Sequence, residues 1–433
     1  MTPSASTPAR LLVPLPFAPR TSARTRTSAS RALYLLMTAC ALLAGAFLAQ
    51  PARAQAQGGN SAAVRIGVVG PFTGPSADFG VPMLNGIKLA VDEINAVGGY
   101  LGRPLELVVK DDAANPDQGR KVSQELLADK VVATIGFCNT GVAMKAIDLF
   151  QDAKSPLIVP CSTGTAVTTK YPAADSYIFR VQARDALQAP FMVDDIVKRG
   201  WDKVAIFADK TGYGEGGYND VVAALAARNL KPVHVARFDL GVKDLTADLT
   251  AARAAGANVV YSYTVGPENA TIANGKKAMG WKVPQVGAWP LSFPFFLEGA
   301  KDAAEGALMV QTFIAEPSNE RRASFLSSYT RKYQGKVAVP MAAANAYDAT
   351  YLLMYSFLGI RDGNLSGQAV KDSLEGKMKT YYGVVATYDK PFSLQDKDAI
   401  TRNMLVIGMV KNGAITFAYP EDAKRNLIIQ RKQ

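Results

Sequence analysis

The 433-residue chain contains one histidine, His234, and three cysteines. That scarcity excludes much catalytic chemistry. A metal centre built from His and Cys needs three or four such ligands at defined spacing, and the chain has no such group. A Ser-His-Asp triad would have to use His234, which alternates with Val233 and Val235 and reads as a strand residue. No G-x-S-x-G nucleophile elbow occurs. The glycines between Gly67 and Gly80 miss the G-x-G-x-x-G spacing of dinucleotide turns. No cofactor, no metal and no catalytic residue is therefore expected, which argues against a hydrolase or dehydrogenase. Asp111-Asp112, at a strand end, could meet a cation, but adjacent loop carboxylates read more simply as solvated.

Acid is missing from one end. Residues 1–54 hold six of the 48 basic residues and none of the 37 acids, so without them the formal charge falls from +11 to about +5. No Lys/Arg cluster with interleaved aromatics remains, so nucleic acid is not an expected partner. Long apolar runs are also absent beyond residue 54. The exception is Ala32–Ala49, preceded by five arginines and followed by Ala52-Arg53-Ala54, an A-x-A site. Residues 1–54 are read as an export signal cleaved after Ala54. Two rivals stay open: the apolar run is retained as an anchor, or Cys40 is lipidated, although apolar residues continue past it. In an oxidising compartment Cys138 and Cys161, each after an expected strand, either form a disulfide or line adjacent loops as small buried residues.

What is present is a regular alternation of strands and helices. Val64–Val69 is a short apolar run of the kind buried in a parallel sheet, broken by Gly70-Pro71 and Gly74-Pro75. Pro82 suits the first turn of a helix; Leu84, Ile87, Val91 and Ile94 continue it at helical spacing, and Gly98-Gly99 stops it. Strands follow at Leu105–Val109, Val131–Ile135, Leu157–Val159, Val204–Phe207, Val233–Phe238, Val259–Tyr263 and Val283–Ala288. Helices are expected at 142–153, from about Gly214, and at 244–255, 268–279, 320–333 and 342–360. Met404–Val410 leads into a hairpin through Lys411-Asn412-Gly413. Such alternation means an α/β chain with mostly parallel sheets flanked by helices. The roughly 379 residues after the signal exceed what one core supports, and no low-complexity linker divides them. Two cores without a linker imply that the chain crosses between them more than once.

Four segments, GPFTGPSADFG, INAVGGYLGRPLELVVKDD, IGFCNTG and DKTGYGEGGYND, occur in order, and the wording closely resembles the leucine/isoleucine/valine-binding proteins of bacterial ABC importers. The resemblance covers nearly all of the chain after the signal. It implies a two-lobed, monomeric periplasmic receptor that closes like a hinge on a small solute and is presented to a membrane ABC permease. It places three hinge crossings, giving an N-terminal lobe of 60–178 and 313–386 and a C-terminal lobe of 179–312 and 387–433. A ligand-sensing periplasmic protein acting on a separate signalling partner is the alternative use of this fold.

The family's ligand contacts transfer residue by residue. The loop after the third strand, which meets the ligand carboxylate, is matched by Asn139, Thr140 and Gly141. The next strand's loop is matched by Cys161, Ser162 and Thr163. Successive N–H groups with short polar side chains make an anion-binding concavity, although Ser, Thr and Asn also occur there as ordinary helix caps. Tyr213 matches the aromatic that covers the ligand from the opposite lobe, and Phe79 the residue packed on the ligand side chain. The departures concern the amine end. Trp289 stands where the family's glutamate neutralises an ammonium, Val265 near a family tyrosine, and Ala114 where the family has a disulfide cysteine. A buried ammonium without a carboxylate costs several kcal/mol, whereas a tryptophan offers a face for stacking or a cation–π contact. Glu268 is a neighbouring acid able to compensate. The expected ligand is a small carboxylate, an amino acid or an aromatic or hydrophobic acid, with those lacking an amine favoured.

Overall fold

The structure is a computed structural model that describes residues 62–432. The expected signal at 1–54, including Cys40, lies outside the described residues. Strands β1 (Val64–Gly70), β2 (Leu105–Asp111), β3 (Ala133–Gly136), β4 (Leu157–Val159) and β5 (Ile178–Arg180) form a parallel sheet in the order β2-β1-β3-β4-β5. A second sheet contains β6 (Val204–Asp209), β7 (His234–Phe238), β8 (Val259–Tyr263), β9 (Gln285–Gly287) and β10 (Leu308–Gln311), all parallel. After a small ribbon, β11 (Tyr381–Tyr382) with β12 (Thr387–Tyr388), the hairpin of β13 (Val406–Lys411) and β14 (Ala414–Phe417) adds antiparallel strands to this sheet's edge. The order is β14-β13-β10-β9-β8-β6-β7. Helices cover both faces, which is why β4 and β8 are buried along their whole length.

Helix Ala77–Ala96 begins a turn earlier than expected and carries Pro82 inside it. The missing N–H so near the start removes a single helical bond. Gly80 permits this early turn, because a Cβ there would overlap the Pro71 carbonyl. At the other end Gly98 and Gly99 adopt positive φ, and the Gly99 N–H returns to the Ile94 carbonyl at 3.0 Å, closing the helix as read from the sequence.

The chain leaves the first sheet after β5, and helix Pro340–Leu358 later returns to pack along Ala77–Ala96. Gly86 makes that contact close, since a Cβ would overlap the Ala343 backbone. Residues 397–399 then run beside β5, with Arg180 N–H to the Lys397 carbonyl at 2.8 Å and Ala399 N–H to the Arg180 carbonyl at 2.9 Å. Arg180 pairs there with Asp398 at 2.6 Å, both buried. The carboxyl ends of β1 and β3 thereby face those of β6 and β8 across a cleft. Among the described residues no helix is long and apolar enough to cross a membrane.

Candidate functional site

The cleft encloses about 560 Å³ between loops of the two sheets. Its N-terminal wall is the start of helix Thr140–Asp152, with Ser76 and Ala114 beside it. Asn139 occupies the cap position without capping the helix: its amide donates instead to the Ser76 hydroxyl at 3.1 Å, and its Oδ1 is buried without a partner. The first helical N–H groups have no intrahelical acceptor, so they and the positive end of the helix are turned to the cleft.

Opposite stands the start of helix Gly212–Ala226. Thr211 caps it, accepting from the Tyr213 and Gly214 N–H groups at 3.3 and 3.4 Å, and Asp209 in turn accepts from the Thr211 hydroxyl at 2.6 Å. Two glycines of the GYGEGGY run are dictated by close approach. A Cβ on Gly214 would strike the Asp209 carbonyl, and one on Gly217 would overlap the Tyr263 ring. Val265 and Glu268 also line this wall, but the Glu268 carboxylate is occupied by the Gly241 N–H at 2.6 Å and the Thr264 hydroxyl at 3.3 Å.

The nine residues expected at the site separate into three groups. Asn139, Thr140, Gly141 and Tyr213 line the cleft cavity. Cys161, Ser162 and Thr163 lie deeper: Ser162 shares a hydrogen bond with Thr140 at 3.2 Å, and the Thr163 hydroxyl is buried and unpartnered. Cys138 and Cys161 form a disulfide with Cα atoms 4.6 Å apart, which decides the alternative left open by the sequence and ties these two loops together. Phe79 and Trp289 are both buried and absent from the cavity lining. They meet each other edge-on at 6.3 Å between ring centroids, and Phe293 packs on both, at 5.0 and 4.7 Å. This aromatic seam joins the helix of the first sheet to the segment after β9.

A cluster behind Tyr213 was not foreseen from the sequence. Asp185, at the start of helix Asp185–Lys198, is fully buried and neither carboxylate oxygen makes a well-formed hydrogen bond. Burial pushes its pKa up to about 7, partly offset by the nearby hydroxyls of Tyr263 and Thr163. Tyr213 stacks at a tilt on Tyr263 at 4.8 Å, and Tyr261 lies parallel to Tyr263 at 6.1 Å. All three hydroxyls are buried without a well-formed hydrogen bond, and burial, then the neighbouring Asp185 charge, raises each phenol. A signal existed in VVYSY, where tyrosines two apart at the carboxyl end of a strand share one face.

The acids and histidine set aside earlier have structural surroundings. Asp111 accepts from the Phe72 N–H at 2.8 Å and the Thr73 hydroxyl at 2.5 Å, bracing the loop after β1. Asp112 is buried rather than solvated, which pushes its pKa up to about 7. His234 starts edge strand β7, away from the cleft, beside the Phe207 ring.

The periplasmic binding protein family model covers residues 63–414. The chain belongs to the periplasmic binding protein family. Among curated relatives of this family, Leu/Ile/Val-binding protein homolog 3 of Brucella melitensis is 35% identical over 199 residues, which is 46% of this chain. The match spans about half of that relative's length, 53%. A type 1 periplasmic binding protein from Bordetella pertussis Tohama I superposes with a TM-score of 0.74 at 25% identity, covering 82% of this chain and 99% of that one. A solute-binding protein of an ABC transporter from Rhodopseudomonas palustris HaA2, in complex with p-hydroxybenzoic acid, shares the fold at a TM-score of 0.69 and 21% identity, covering 82% of this chain and 95% of that one.

Proposed function

We propose that this periplasmic binding protein is the solute receptor of an ABC importer of the branched-chain amino-acid type, capturing a small carboxylate between its lobes and presenting the closed form to a membrane permease. The observation that carries the reading is the uncapped start of helix Thr140–Asp152, open to a cleft whose far wall is Tyr213. Free N–H groups at a helix start bind a carboxylate well, and Thr140 and Gly141 line the cleft there, with Thr163 in the loop behind them. Tyr213, Val265 and Leu240 line the cleft and offer the solute's apolar body a wall, with the Phe79–Trp289 seam buried outside the lining.

Asp185 revises the expectation for the amine end. With Trp289 in place of a glutamate, Glu268 was the acid expected to compensate; its carboxylate is held by Gly241 and Thr264, and Asp185, buried with its hydroxyls behind Tyr213, is a further acid on that side. A solute that carries a carboxylate at one end and a donor at the other, an ammonium or a hydroxyl, suits both. The amino acids named for the Brucella relative and the p-hydroxybenzoic acid held by the Rhodopseudomonas protein share those two features.

A thermal-shift comparison of leucine, valine, 4-hydroxybenzoate and benzoate tests this, since a ligand of the native state raises the melting temperature. Stabilisation by carboxylates with a far-end donor is expected. If no carboxylate raises the midpoint, the reading fails.

A further inference from the structure

A second cavity of about 560 Å³ lies on the C-terminal lobe, at the amino ends of β9 and β10 and so on the far side of that sheet from the cleft. Its walls include Trp201 and Trp281, two of the three tryptophans in the chain, together with Met409 and Val283. Lys276, near the end of helix Glu268–Ala278, lines it while being only 7% exposed. Among the described residues its ammonium has no hydrogen-bond or ion-pair partner. Of the neighbouring charges, Lys277 pairs with Asp302, Arg199 with Asp195 at 2.7 Å, and Glu305 accepts from the Asn412 and Gly413 N–H groups at 3.0 and 2.7 Å, while Lys282 adds a second cation to the lining. Gln285, also lining the cavity, uses its Nε2 on Ser262 and the Asn269 carbonyl, and its Oε1 is buried without a partner.

A lysine this buried with no counter-charge is costly, and a leucine or methionine would fill the same space more cheaply. Burial alone lowers Lys276 to a pKa of about 7, and an anion brought against it would restore the charged form. We propose that this cavity is a second ligand site, taking a small carboxylate with an apolar or aromatic body. The carboxylate pairs with Lys276, and the body lies against Trp201 and Trp281, a mostly apolar pocket with one placed charge. The inference does not depend on what the cleft binds.

The test is a benzoate titration of Trp289→Phe protein, in which Trp201 and Trp281 are the remaining tryptophans. Their fluorescence is read with excitation beyond the benzoate absorption band. A saturable change is expected, and Lys276→Met should weaken it by about tenfold or more, as the loss of a charged hydrogen bond does. Benzamide, of similar shape without the charge, should leave the signal unchanged, which tests the claim even if Lys276→Met does not fold. Thr163→Ala, which acts on the cleft, should not alter it. No saturable change with benzoate, equal response to benzamide, or an undiminished response in folded Lys276→Met would each overturn the proposal.

Discussion

A Cβ on Gly212 would stand 3.1 Å from the Cα of Gly141, so the two helix starts that face the cleft touch through their backbones. Neither glycine has positive φ, so their role is to leave space. Gly212→Val should hold the lobes apart and weaken solute binding by roughly tenfold, while the melting temperature of the solute-free protein changes little. Small-angle scattering with and without solute checks it: the wild type should compact on binding and the variant should compact less.

Asp185 gives solute-free stability a pH dependence of known sign. Its pKa is about 7 in the fold, against an ordinary value of 3.8. Between those values the native state keeps a proton that the unfolded chain has lost. Stability therefore falls as pH rises through the window and levels off above it. Asp185→Asn should flatten that fall. The raised carboxyls of Asp112 and Asp348 remain in both proteins, so the difference between the two melting-temperature curves isolates Asp185. Parallel curves would contradict its buried placement.

The Cys138–Cys161 bridge closes a loop of 23 residues. On loop-closure entropy, removing it with the Cys138→Ala/Cys161→Ala pair should cost about 3 kcal/mol. Urea denaturation of oxidised wild type, reduced wild type and the double variant checks this, and the last two should coincide.

Arg180 and Asp398 join β5 to residues 397–399, which run beside it, with side chains 0% and 5% exposed. Arg180 also donates to the carbonyls of Thr163 and Gly164 at 3.0 and 2.7 Å, so it holds a predicted ligand loop in place. Asp398→Ala leaves the guanidinium buried and unpaired, and should destabilise by about 3–5 kcal/mol in denaturant melts. Solute affinity should fall in the same variant.

Strong local signals were legible in the sequence. The runs Leu157–Val159 and Val259–Tyr263 form strands with the expected bounds, and Gly98-Gly99 ends the first helix as read. Asn412-Gly413 turns the last hairpin, both residues at positive φ. What failed was decided at longer range. Pro82 marked a helix start locally, yet the loop at Pro71 packs so closely on Gly80 that the helix begins earlier. Asp185 sits at a helix start, where an aspartate reads as an ordinary first-turn acid. Only the fold buries it among tyrosines from other elements. Trp289 was legible as a departure from the family pattern, but its partners Phe79 and Phe293 come from distant or irregular segments that no periodicity connects.

The central claim is that a carboxylate is held by the open helix start at Asn139–Gly141. Calorimetric titration with matched carboxylate and amide pairs, leucine against leucinamide and 4-hydroxybenzoate against 4-hydroxybenzamide, tests it most directly. Measurable binding of at least one carboxylate is expected, with loss of that binding in its amide, because the amide removes the charge that the helix start attracts. Equal binding of acid and amide, or binding of neither acid, would contradict it.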